Sequence, residues 1–252
     1  SLMNTNELKE YLDFKVNQYN TIEFVKTDPI RLIHGFHKKE DIEIVGFLIA
    51  TIAWGKRQMI IKNGERLIEL MGNTPHEFVM NYESKKPLKF VHRTFNGTDL
   101  DFFFRSLRNI YTNHGGLESV FSPNETFPGI KGRIINFRKV FLETPHKKRS
   151  EKHISDPQKN SAAKRINMFL RWMVRDDECG VDLGIWTSIP TSELCIPLDV
   201  HTARWAEKLG IKKRKQNDWK ALEEIMIFFR KLDPEDPSKY DFALFGIGVF
   251  ES

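Results

Sequence analysis

Residues 196–205 read Ile196-Pro197-Leu198-Asp199-Val200-His201-Thr202-Ala203-Arg204-Trp205, and the run closes at Leu209-Gly210. A carboxylate that follows a proline opens a helix, and a glycine stops it. Asp is a strong N-cap because its side chain accepts a bond from an otherwise unpaired N–H of the first turn. Gly210 suits the residue just beyond a helix end, where left-handed backbone is common. The stretch therefore reads as a helix, Val200–Leu209. It leaves Asp199 with two readings: an ordinary cap, or a carboxylate held at the mouth of a helix for chemistry.

The same punctuation recurs outward in both directions. Asn6–Tyr19 has Leu8, Tyr11, Leu12 and Val16 at helical spacing. Asp28-Pro29 starts a short second element, and Asp41 reads as the cap of Ile42–Trp54, apolar almost all round and so expected to be buried. Gly55 breaks that helix, Arg57–Met71 continues to Gly72, and Thr74-Pro75-His76-Glu77 is a helix start with proline in first position. Asp99–Asn113 and Ile130–Leu142 follow. Residues 144–160 are polar and read as a loop. A helix over Ala162–Val174, capped by Ser161 or Asn160, precedes an irregular stretch at Gly180–Ser188 and a connector at Ile189–Leu194. Beyond Gly210, helices are expected at Asp218–Leu232 and Pro237–Phe250. No alternating strand pattern or internal repeat appears, so the fold class is all-α.

Composition narrows the function classes. The 252 residues, 40% hydrophobic with 20 Phe, can fill a bulky aromatic core. No apolar run reaches the roughly 18 residues of a membrane span; Ile42–Trp54, the nearest, is interrupted by Glu43, Gly46 and Thr51. Ser1-Leu2 ahead of Met3 reads as an expression scar, with no signal-peptide order behind it. Two cysteines, Cys179 and Cys195, imply no disulfide framework, fit a reducing cytosol, and exclude an iron–sulfur cluster held by four cysteines of this chain. His34-x-x-His37 and Asp199-x-His201 lack a second pair at ligand spacing, so no metal or other cofactor is expected.

The net charge is +5. Its distribution matters more than its size. Between Pro145 and Arg175, nine Lys/Arg stand against Glu151 and Asp156, which reads either as a solvated loop or as a surface for a polyanion. Lys212–Lys215 forms a second basic cluster, while acids gather at Asp176–Glu178 and Asp233–Asp241. Lys164 lies in the basic stretch. With Ser161 as cap it occupies the third helical position, inside the positive end of the helix dipole, where a neutral amine is favoured over an ammonium. It reads as a nucleophile or as a phosphate contact.

Taken together, Pro-Leu-Asp-x-His-x-x-Arg-x-x-x-x-Leu-Gly at 197–210 and Ala163-Lys164-Arg165-Ile166-Asn167-Met168-Phe169 resemble the catalytic segments of the helix-hairpin-helix DNA glycosylases. The 35-residue interval from Lys164 to Asp199 is closest to the archaeal 8-oxoguanine glycosylase branch. With Phe169–Arg175, the same motifs also resemble a bacterial domain-of-unknown-function family of about this length. Two features depart from the pattern: Ser155-Asp156-Pro157-Gln158-Lys159-Asn160 replaces the glycine-rich hairpin, and the C-terminal cysteine cluster of the endonuclease III branch is missing.

The resemblance implies a two-lobed helical fold with a central cleft, one lobe spanning about 36–192 and the other about 1–35 with 193–252. It implies base excision from double-stranded, damaged DNA in the cytoplasm, at the nucleoid, with an oxidised purine as the target and AP-lyase activity. Lys164 would be the nucleophile and Asp199 the carboxylate that stabilises the cationic sugar. Lys148, Arg149, Lys159, Arg165, His201 and Arg204 would hold DNA phosphates. Trp54, Met168, Trp172 and Phe245 would line the pocket for an extruded base. Two other readings stand beside it: a nucleic-acid-binding module on the same scaffold without catalysis, and a helical interaction domain whose basic face meets an acidic partner.

Overall fold

The computed structural model describes residues 3–251. In chain order the helices are α1 (Thr5–Tyr19), α2 (Ile22–Val25), α3 (Lys39–Thr51), α4 (Arg57–Leu70), α5 (Pro75–Met80), α6 (Gly97–Asn113), α7 (Leu117–Val120), α8 (Gly129–Phe141), α9 (Lys164–Val174), α10 (Val200–Lys208), α11 (Trp219–Leu232) and α12 (Tyr240–Phe250). Among the described residues, β structure is one hairpin of two-residue strands, β1 (Val91–His92) and β2 (Phe95–Asn96), with His92 opposite Phe95. The protein is all-α. No described helix is long and apolar enough to cross a membrane.

The chain packs as two compact units, one running from Asp28 to Asp156 and the other joining the residues before Asp28 to those from Pro157 onward. These junctions differ from the boundaries near 35 and 193 expected from the sequence. The Pro29–Leu32 turn packs on α3 and α4, so it goes with the central unit. Helix α9 goes with the terminal unit, because its Arg171 and Arg175 are ion-paired to Asp241 and Asp236. Lys164 and Asp199 therefore lie in the same unit.

In the central unit, α3 is buried from Ile42 to Thr51. Phe47 sits at its middle with its ring against Phe103, Phe137 and Phe141. Burial of each such side chain contributes about 1.5–3 kcal/mol. The one carboxylate within that buried span, Glu43, accepts a 2.9 Å bond from the Tyr111 hydroxyl. Asp41 does not cap α3; it sits in the first turn and accepts from the His76 N–H. Cap and box appear instead at α6, where Asn96 accepts from Thr98 and Asp99 while Asp99 returns to the Asn96 N–H.

Asp99 also organises residues 144–160, which the sequence presented as a polar loop. Their 3-10 turn at Lys148–His153 wraps this buried carboxylate: Arg149 donates through Nε and an Nη, and Ser150 through Oγ at 2.6 Å. Burial alone would raise the acid, but the Arg149 and Ser150 bonds hold it below the usual carboxylate range.

In the terminal unit, α12 lies between α1 and α10. Gly246 permits the first approach, since a Cβ there would meet the Tyr19 ring at 2.0 Å. Polar links fasten the same pair: Lys15 to Glu251 at 2.7 Å, and the Tyr19 hydroxyl to the same carboxylate. After α9 the chain folds back on it, with the Leu183 and Trp186 N–H groups donating to the carbonyls of Trp172 and Met173.

Candidate active site

Helix α9 begins at Lys164, not at Ala162, and neither Ser161 nor Asn160 caps it. The cap position is Ala163, held in left-handed backbone at φ 49° and buried among its neighbours. The Ser161 hydroxyl accepts from the Ala163 N–H instead. Lys164 is thus the first helical residue, two positions nearer the helix end than expected, and it remains at the positive pole of the dipole.

Asp199 is the N-cap of α10, and its two oxygens divide their tasks. Oδ1 accepts from the Thr202 N–H at 2.8 Å, and the Thr202 hydroxyl closes the box on the Asp199 N–H at 3.0 Å. Oδ2 lies 3.5 Å from Lys164 Nζ. The side chains are 34% and 26% exposed, so both members of the ion pair meet solvent. The cap fixes the orientation of the carboxylate, which leaves one oxygen aimed at the amine.

Behind this pair lies a buried charged network that the sequence reading did not single out. Arg171, seven residues and about two turns on from Lys164, donates 2.7 Å to Asp241 of α12 and 3.1 Å to Asp182. Arg175 bonds Asp182 as well as Asp236. Both guanidinium groups stack on the Phe242 ring, at 4.6 and 5.2 Å. Burial pushes the Asp241 carboxyl up to about 7; Arg171 opposes the shift, while the charges of Asp199 and Asp182 add to it. Asp241 is thereby coupled electrostatically to the half-buried Lys164–Asp199 pair, whose own charges act on it in opposite senses.

The other sequence candidates separate. Met168 is half-buried, four residues along α9 from Lys164 and so on the same face. His201 and Arg204 are exposed at helical spacing on α10. Lys148 and Lys159 are exposed as expected, but Arg149 is committed to Asp99. Arg165 is half-buried, and desolvation draws its guanidinium down to about 10. Trp172 is fully buried in the core of its unit, which corrects its assignment as a pocket wall. Phe245 packs edge-on against Phe24. Trp54 belongs to the central unit, where its ring contacts those of His92 and His153. Among the described residues, no three His, Cys, Asp or Glu side chains are grouped as a metal ion would require.

Fold and site together define an all-helical protein whose solvent-facing Lys–Asp ion pair is built on the starts of two helices. A family model described as a protein of unknown function (DUF2400) matches residues 28–250, and the chain belongs to that family. The searches of curated proteins and of solved structures found no match.

Proposed function

We propose that the protein is a DNA glycosylase with AP-lyase activity, built on the two-lobed helix-hairpin-helix scaffold and acting on an oxidised purine in double-stranded DNA. The observation that carries the reading is the 3.5 Å approach of Lys164 Nζ to Asp199 Oδ2 across 35 residues of sequence. An amine and a carboxylate must converge if both are to act on one sugar.

In this reading Asp199 relays to solvent the proton that the Lys164 ammonium must shed, and is a carboxylate again when the amine attacks. The neutral amine attacks C1′, and the glycosidic bond breaks with its electron pair leaving on the base, which is then protonated. Loss of a further proton from nitrogen opens the sugar ring, with O4′ taking the electrons and a proton, and leaves a Schiff base at C1′. Removal of a C2′ proton then expels the 3′ phosphate. Positive charge develops on the sugar in the first step, and the second oxygen of Asp199, already oriented by its cap, stabilises it. The exposed His201, Arg204 and Lys159, all of the terminal unit, supply phosphate contacts.

The test is borohydride trapping against duplexes that each carry one oxidised, alkylated or deaminated base. Wild type is expected to give a covalent adduct with an oxidised purine, and Lys164→Gln to give none while retaining its fold. Wild type that neither traps nor releases any of these bases would favour the non-catalytic nucleic-acid-binding module. That second reading draws on one observation of its own: the 155–160 segment before α9 contains no glycine.

A further inference from the structure

The central unit carries a concave site far in sequence from Lys164 and Asp199. The strap Ser84–Phe90, the start of α6 and Arg66 of α4 enclose a cavity of about 800 Å³. The strap is pressed against the helix at a contact that only glycine allows. A Cβ on Gly97 would stand 1.8 Å from the Leu88 carbonyl oxygen. Lys85, Lys86 and Lys89 are carried on this strap and exposed. Among the described residues, Lys86 and Lys89 meet no carboxylate. Lys85 meets only Glu83, in a pair whose side chains are 76% and 60% exposed and which water and salt screen heavily. Arg66 lies over the Phe90 ring at 5.8 Å.

A single acid lines the cavity, and its charge is already answered. Asp101 accepts from Arg105 Nε at 2.9 Å and from the Tyr82 hydroxyl. Burial would raise it, but the hydrogen bonds from Tyr82, Ser84 and Arg105 hold it below the usual range. The site is therefore a concave positive field with almost nothing inside the protein to neutralise it. The helix end adds little of its own, since the Thr98 and Asp99 N–H groups are already taken by Asn96.

We propose that this groove binds the phosphodiester backbone of a nucleic acid strand. Three of its four cations are lysines, compact point charges that suit the single charges of successive phosphates. A concave row of such charges, with little inside the protein to neutralise it, matches the evenly repeated charges of a strand. The inference is independent of the Lys164–Asp199 chemistry and holds equally for a protein that binds DNA without cutting it.

The experiment measures fluorescence anisotropy of an undamaged fluorescein-labelled 30-base-pair duplex from 50 to 300 mM salt. It compares wild type, Lys231→Gln, and Lys85→Gln/Lys86→Gln/Lys89→Gln. The triple variant should bind at least about tenfold more weakly, with a salt slope shallower by about two to three units and an unchanged melting temperature. Lys231→Gln, which removes one exposed charge outside the groove, should match wild type. Hydrogen exchange of wild type should show residues 84–91 protected on adding the duplex. An unchanged slope in the triple variant overturns the proposal, as does a lack of protection at 84–91. The same anisotropy series is run with labelled polyglutamate. Loss of its binding in the triple variant with duplex binding intact would assign the groove to an acidic protein and overturn the proposal too.

Discussion

The division of labour between the two Asp199 oxygens can be tested by stability alone, before any substrate is known. Asp199→Asn keeps an acceptor for the Thr202 N–H and removes the charge facing Lys164. Asp199→Ala removes both. A lost Asp cap costs about 1 kcal/mol within a range of roughly 0.5–2, and Asn caps as well as Asp. A half-buried ion pair that still meets solvent, at 3.5 Å, contributes about 0.2–1 kcal/mol. The expected losses are therefore about 0.5 kcal/mol for Asn and about 1.5 kcal/mol for Ala. At roughly 2–4 °C per kcal/mol, these correspond to about 1–2 °C and 3–6 °C in the melting temperature. A double-mutant cycle with Lys164→Gln should recover only the smaller part as coupling. The urea titrations belong at pH 5, where Asp241, pushed up to about 7, holds its proton. Above pH 7 an ionised Asp241 is repelled by Asp199, so removing the Asp199 charge would relieve strain and blur the comparison. If Asn costs as much as Ala, or if the cycle shows no coupling with Lys164, the two-oxygen account is wrong.

Gly97→Ala should cost about 1–3 kcal/mol or more in urea unfolding, because its methyl meets backbone rather than a movable side chain; a neutral substitution would show that the strap is not seated on α6. Stability should also depend on pH through Asp241. Its carboxyl is raised from about 3.9 when unfolded to about 7 when folded, so the native state binds more protons between those values. Stability from this group thus falls as pH rises from about 4 to about 7 and is level above, and Asp241→Asn should flatten that slope. A slope identical to wild type would count against the burial of a protonatable Asp241.

The sequence made most of the helices legible because their ends carry side-chain signals. Asp218 and Asp199 cap where an Asp before an amphipathic run should, and Gly72 and Gly210 turn left-handed where a helix must stop. Helix α9 misled because its start is set by Ala163 in left-handed backbone, a conformation that costs an L-residue and that no propensity points to. Arg149 looked like one charge in a basic run, since its partner, Asp99, lies 50 residues upstream. Asp241 was hidden among the acids of 233–241. The available signal was its place beside Tyr240 and Phe242 in an otherwise apolar helix, matched by Arg171 between Leu170 and Trp172. A charge embedded in an apolar face needs a partner. The one-dimensional pattern shows the need and not the residue that meets it.

The packing of α1 on α12 has a consequence for the order in which the chain can fold. Lys15 and Glu251, which join the two helices, are 236 residues apart. During synthesis the apolar face of α1, with Leu8, Leu12 and Val16, lacks its main native partner until residues 240–250 emerge. The unit from Asp28 to Asp156 is continuous in sequence, so all of it has emerged well before the terminal unit is complete. The terminal unit can close only afterwards, over one of the longest loops the chain can form. Lys164 and Asp199 belong to that late unit, so the candidate site matures last. A nascent chain stalled at residue 230 would present a finished central unit and an orphaned, aggregation-prone first helix.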